Sequence, residues 1–223
     1  MEKVVRQLLD LEYFKSVLPV QYTPGLSALL LLTGENASGK SFFVRLMAAY
    51  VHFRLETEPI LVDMSLRTES DIKRALVFGD EERDSTGNIS LKSVINGIKT
   101  SKGRQNAHYL MYDEPEIGLS DGYQMALGNY VAKFMDELPA KIKGLVIATH
   151  SKYVARPLVP YNPNHIRFGD TLTLEQWLEE EPREKSEAEL LALQQDTLTS
   201  SNALLDILRK AEEKKTKKRK RAT

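Results

Sequence analysis

The chain has 223 residues, 42% of them hydrophobic, which is enough to bury a core and excludes disorder throughout. It contains no cysteine, so disulfides and thiolate metal sites are excluded; no apolar run approaches the roughly 18 residues that span a bilayer, and the charged start MEKVVRQLLDLEYFK lacks a signal peptide's apolar core, so a soluble, cytoplasmic protein with no membrane partner is expected. A net charge of zero hides an asymmetry: seven of the 31 basic residues stand in KKTKKRKR at 214–221, opened by Lys214 and closed by Arg221, leaving 24 basic against 31 acidic residues elsewhere.

In chain order, apolar stretches alternate with amphipathic ones from 28 to 168. The strands expected are ALLLLTG (28–34), PILVDMSL (59–66), RALVFG (74–79), AHYLMYDE (107–114), GLVIATH (144–150) and a weaker HIRFG (165–169). Helices are expected to begin near Ser41, Glu69, Ser90, Asp121 and Lys152. This alternation predicts an α/β fold with a mostly parallel sheet flanked by helices. Beyond Thr171 the pattern turns helical and charge-rich, with Pro182 between two helices. The domains expected are therefore 1–170, a C-terminal helical appendage at 171–213, and a basic tail at 214–223.

Between the first strand and its helix stand Gly34, Glu35, Asn36, Ala37, Ser38, Gly39, Lys40 and Ser41. They fit G-x-x-x-x-G-K-[ST] in the strand-to-helix setting that this motif requires. The two glycines let successive amides turn inward around phosphates, and the helix adds its positive end. Lys40 is assigned to the β- and γ-phosphates and the Ser41 hydroxyl to Mg²⁺. A second motif, YLMYDEPEIGLS, ends a strand in an acidic pair. Asp113 is assigned to Mg²⁺ through water and Glu114 to polarising an attacking water; capping the next helix is the other use of such a pair. In VIATHS, His150 follows a third strand and can bond a phosphate or orient the water. Ligands of open α/β sheets gather at the carboxyl ends of strands, so the three motifs are expected to converge.

GENASGKS, YLMYDEPEIGLS and VIATHS together resemble the ABC-type ATPases, in the non-transporter branch that includes SMC, RecF and OLD proteins and small stand-alone AAA-family ATPases of bacterial or phage type. The resemblance covers about 29–168. It implies a P-loop NTPase that binds ATP with Mg²⁺ and hydrolyses it, as an ATP-dependent head-to-tail homodimer with a conformational cycle. DNA maintenance, DNA sensing or phage-related defence are the settings it suggests. It also implies a signature motif that contacts the nucleotide of the other subunit, and DSTGNIS supplies the candidates Ser85, Thr86 and Gly87, ahead of the helix near Ser90. For the adenine-stacking aromatic of the family, Tyr13 and Tyr22 are the candidates.

Departures from the transport branch matter. Lys40 and Asp113 are only 73 positions apart, too close for the helical lobe of transport ATPases or for a long coiled coil, and no glutamine occurs between Ser41 and Gly103. Asp80 or Glu81 could replace the glutamine of the family. A transport subunit is thus disfavoured, and a nucleotide-dependent scaffold or sensor that recruits an effector protein with little hydrolysis is the alternative. Trp177 has helical spacing with Leu174 and Leu178 and is expected in the core, while Arg45 is expected to be a surface or interface cation. The tail at 214–221 can contact nucleic-acid phosphates without sequence preference, or be an import signal or a solvated end.

Overall fold

In the computed structural model, the described residues are 1–11, 14, 19–63 and 85–192. Tyr13, Asp80, Glu81, the RALVFG strand, the helix expected near Glu69, and the chain from 193 onward, with its basic run, lie outside them. The chain divides into two units, Met1–Glu180 and Glu181–Thr223. In the second, the described part carries a helix at 187–192. No helix among the described residues is long and apolar enough to cross a membrane.

Helix α1 (Glu2–Leu9) precedes a short strand, β1 (Val20–Thr23). Then follow β2 (Leu29–Gly34), α2 (Lys40–Arg54), β3 (Glu58–Asp63), α3 (Thr86–Gly103), β4 (His108–Asp113) and α4 (Asp121–Asp136). The chain continues through β5 (Ile142–Ala148), the short α5 (Lys152–Ala155), a 3₁₀ turn (Arg156–Tyr161), β6 (Asn164–Phe168) and α6 (Leu174–Glu179). The six strands lie in the order β1-β6-β2-β5-β4-β3. All pairs are parallel except β1 with β6, where Val20 faces Phe168 across an antiparallel edge. This is the α/β class expected, with strands found at five of the six sequence-predicted places.

Continuous apolar strands in a parallel sheet must be covered on both faces, and here the alternation of side chains assigns each face its helices. Leu30, Leu32, Met111, Val146 and Ala148 point to one side, where α1 and α2 supply Val5, Leu8, Phe43, Met47 and Val51. Leu29, Leu31, Leu110, Tyr112, Leu145 and Ile147 point to the other, against Val94 and Ile98 of α3, Leu127 and Val131 of α4, and Val154 of α5. Helix α6 joins this second layer through Leu174, Trp177 and Leu178. The stretch that opens the expected appendage is thus built into the core, and the first unit runs on to Glu180.

Trp177 is buried beneath the ammonium of Lys152 and the guanidinium of Arg167, each within 6 Å of its ring. Trp177→Ala is expected to cost about 3 kcal/mol of unfolding free energy, measured by urea denaturation followed by circular dichroism. A change under about 0.5 kcal/mol, the size typical of a surface substitution, would separate α6 from the core.

Candidate functional site

The turn after β2 takes a path that only small residues permit. Gly34 has φ +151°, and a Cβ there would stand 2.6 Å from the Phe168 carbonyl oxygen and 2.7 Å from Ser38 Oγ. Ala37 (φ 57°) and Gly39 (φ 95°) are both left-handed. Gly39 opens α2 with no side-chain cap and no acid in the first turn, so the amide dipoles of the helix end face the loop uncompensated. Ser38 Oγ is buried with no hydrogen-bond partner among the described residues. Lys40, buried, donates to the carbonyl oxygens of Gly34 (3.1 Å) and Glu35 (2.9 Å). Burial pushes its ammonium down from 10.5 to about 8, opposed by Glu114, Asp113 and Glu116. The loop thus presents amide donors, an uncapped helix end and the Lys40 ammonium, which is the chemistry a phosphate requires.

Behind the loop, Thr33 and His165 are fully buried and joined between Oγ1 and Nε2 at 2.8 Å. Burial, and then the neighbouring Arg167, push this imidazole down to about 4.

Asp113 ends β4, buried, in register with Asp63 at the end of β3. Burial pushes the Asp113 carboxyl up to about 6; a hydrogen bond with Ser41 opposes this, and Asp63 and Glu114 add to it. Its Oδ1 has no hydrogen-bond partner among the described residues. A hydroxyl beside a carboxylate with an unused buried oxygen fits a hard cation that prefers oxygen ligands. No group of three or more His, Cys, Asp or Glu among the described residues could hold a metal by itself. Ser41 and Asp113 could therefore supply only part of a shell, the rest coming from ligand and water oxygens, an arrangement that Mg²⁺ commonly takes. Arg45 is not simply the surface cation expected. Half-exposed, it reaches inward through Nε (3.1 Å) and an Nη (2.8 Å) to Oδ2 of the buried Asp63, offsetting part of the negative charge beside Asp113.

Glu114 follows in a left-handed conformation (φ 53°), and its amide donates to the Ala148 carbonyl at the end of β5 (2.9 Å). That turn brings its carboxylate beneath His150, with Oε1 2.6 Å from Nε2. His150 Nδ1 lies 3.4 Å from Lys40 Nζ. An ammonium can only donate, so Nδ1 accepts, and the tautomer that satisfies both contacts carries its proton on Nε2 and donates it to Glu114. The hydrogen bond from His150 holds the Glu114 carboxyl below its ordinary value, against the effect of burial. Lys40, His150 and Glu114, expected from three separate motifs, are thus in one hydrogen-bonded row.

A further acid belongs to this cluster. Glu116, buried, accepts through Oε1 from the Thr149 hydroxyl (2.7 Å) and the His150 amide (2.8 Å). Burial raises its carboxyl, and these bonds oppose the rise. Sequence reasoning passed over Glu116, Thr149 and Asp63. The available signal was the second glutamate of DEPE, too polar for a position between Pro115 and Ile117 unless it has partners.

Helix α3 starts at Thr86 rather than near Ser90, with Ser85 as its N-cap accepting from the Asn88 amide. Thr86 and Gly87 therefore lie in its first turn. A Cβ on Gly87 would stand 2.5 Å from the Gly118 carbonyl oxygen, and Ser90 donates to the Ile117 carbonyl at 2.6 Å. The signature candidates thus pack on the IGLS segment of their own chain. Tyr22 has its hydroxyl on Asn164 Oδ1 (2.7 Å) and the guanidinium of Arg6 5.4 Å from its ring centroid.

No protein-family model matches the chain, and no curated protein matches it. Among solved structures, it is similar to C. elegans PCH-2 (12% identity, TM-score 0.40, 76% of this chain and 41% of that one). Others are the E. coli MS115-1 HORMA:CdnC:Trip13 complex (13%, 0.38, 68% and 51%) and Cdc6p from Pyrobaculum aerophilum (16%, 0.38, 75% and 44%). The chain spans about half of each of those chains or less. Likenesses this loose do not bear on what the chain does.

His165 offers a test of the floor of the loop. In the unfolded chain it takes a proton below about pH 6.5, whereas in the fold it resists until about pH 4. Stability held above pH 6.5 is therefore lost as the pH falls toward 4, by up to about 3 kcal/mol. Urea titrations from pH 7 to pH 4 are expected to show wild type weakening more steeply than His165→Gln, whose side chain does not titrate. Parallel curves would mean that His165 is not buried uncharged.

Proposed function

We propose that the chain binds ATP with Mg²⁺ at the carboxyl ends of β2, β4 and β5 and hydrolyses it. The observation that supports this is the row Lys40–His150–Glu114, which joins a phosphate loop to an acidic strand end through contacts of 3.4 and 2.6 Å. Lys40 and the loop amides hold phosphate oxygens and offset the charge that develops in phosphoryl transfer. Glu114, kept ionised by its bond from His150, orients water and accepts its proton. His150 fixes the Glu114 carboxylate in position. Ser41 and Asp113 hold Mg²⁺, which would supply charge neutralisation at the phosphates.

Resemblance to the non-transporter ABC-type ATPases extends this reading to a homodimer that ATP closes and hydrolysis opens. In it, Ser85, Thr86 and Gly87 complete the site of a second copy, and DNA maintenance, sensing or phage-related defence is the setting. The run at 214–221 adds salt-dependent contact with nucleic-acid phosphates. One observation favours the slower alternative, a sensor that recruits an effector with little hydrolysis. A carboxyl held below its ordinary value is a weaker base, because the same bond that positions Glu114 lowers its proton affinity.

Nucleotide binding, phosphate release and solution mass decide between these. Lys40→Ala is expected to lose ATP binding, and undiminished binding would overturn the phosphate-loop reading. Glu114→Gln is expected to bind ATP while releasing phosphate about 100-fold or more slowly; wild-type turnover in that variant would remove Glu114 from its role. Light scattering on Glu114→Gln is expected to show one subunit without Mg-ATP and two with it. Tight binding by wild type with negligible release would select the sensor.

A further inference from the structure

A buried carboxylate is expensive unless its oxygens are occupied, and Glu116 is buried. Glu116 Oε1 takes two donors at once, the Thr149 hydroxyl and the His150 amide. The Thr149 hydroxyl oxygen in turn accepts from the Ser151 amide at 2.9 Å, and Ser151 Oγ caps α5 by accepting from the Val154 amide at 3.1 Å. Glu116 is itself fixed, because its carbonyl accepts from the Leu119 amide (3.0 Å) and the Glu114 carbonyl from that of Ile117 (3.2 Å). One oxygen on the β4 side therefore holds Thr149 and His150 on the β5 side directly, and Ser151 through the Thr149 hydroxyl.

We propose that Glu116 is a positioning residue, whose carboxylate clamps the Thr149–His150–Ser151 turn and so sets the imidazole of His150 between Glu114 and Lys40. Its part in turnover rests on the ATP-hydrolase reading; its hold on the imidazole does not. Geometry rather than charge carries the clamp, since both donors converge on Oε1 and Oε2 has no partner among the described residues. Glutamine retains that acceptor. Alanine strands the buried Thr149 hydroxyl and the partly buried His150 amide.

The chain has four histidines, so His150 can be identified in imidazole ¹⁵N spectra of the whole protein by its loss in His150→Ala. Glu116→Ala is expected to displace or broaden the His150 signals, leaving those of His52, His108 and His165 in place. Glu116→Gln is expected to restore them. In ATP turnover, Glu116→Ala is expected to lower kcat by about 10- to 100-fold, the scale of an ångström-sized misplacement, with ATP affinity within about twofold of wild type. Glu116→Gln recovers most of that loss, and Glu116→Ala/His150→Ala turns over no more slowly than His150→Ala. Wild-type His150 signals in a folded Glu116→Ala overturn the proposal, as does a Glu116→Gln that moves them, or a multiplicative loss in the double variant. If Glu116→Ala does not fold, the glutamine variant decides. Absence of phosphate release from wild type would defeat the hydrolase reading alone, because the ¹⁵N spectra still report the clamp.

Discussion

Parallel strands can pair only through crossover connections, and in this sheet the crossovers put β5 between β2, which leads into the glycine loop, and β4, which ends in the acidic pair. The ladders do not stop where the strands end. The Thr149 amide donates to the Leu32 carbonyl at 3.0 Å, and the Glu114 amide donates to the Ala148 carbonyl at 2.9 Å. These two backbone bonds hold the three strand ends in register, so that side chains from β2–α2, β5 and β4 fall into one row. Glu114 then needs a left-handed turn to point its carboxylate back along that row, a conformation a non-glycine residue keeps only where its surroundings compel it.

The same register concentrates charge where water is scarce. Asp63, Asp113 and Glu116 are buried with Lys40, and Glu114 is half-buried beside them. Arg45 answers Asp63, His150 answers Glu114, and Thr149 with the His150 amide answers Glu116. Asp113 is answered in part by Ser41. None of this favours folding by itself, because desolvating charges costs more than surface pairing returns. The apolar layers on the two faces of the sheet supply the offset.

What the sequence displayed plainly was what one segment decides by itself. GENASGKS declares its turn through glycine spacing, and the apolar runs at 28–34, 107–114 and 144–150 declare strands. What it concealed depends on pairing between distant segments. VQYT is too short and too mixed to read as a strand until β6 lies beside it. Arg45 looks like any helix-surface cation until β3 brings Asp63 beneath it. Glu116 looks like one more acid in an acidic turn until β5 presents Thr149 and His150. Trp177 was readable as a core residue from its helical spacing, but not the fact that its helix belongs to the sheet's own layer. That layer is set by Leu127, Val131 and Val154, which come from elsewhere in the chain.

Lys40 shows why the row is sensitive to what the loop holds. An ammonium has three protons, and here they face three acceptors: the Gly34 carbonyl, the Glu35 carbonyl and His150 Nδ1. The two carbonyl contacts are short and the histidine contact is long, so the third is the weakest and the first that an oxygen of a bound ligand would displace. Once it yields, Nδ1 needs another donor or water, and the imidazole is held by its bond to Glu114 and by its backbone. Occupancy of the loop and the placement of Glu114 would then be coupled through one side chain, and coupling of this kind acts in both directions. The firmer the backbone of His150, the less of that disturbance reaches the Glu114 carboxylate, which is where the two donors on Glu116 Oε1 have their effect.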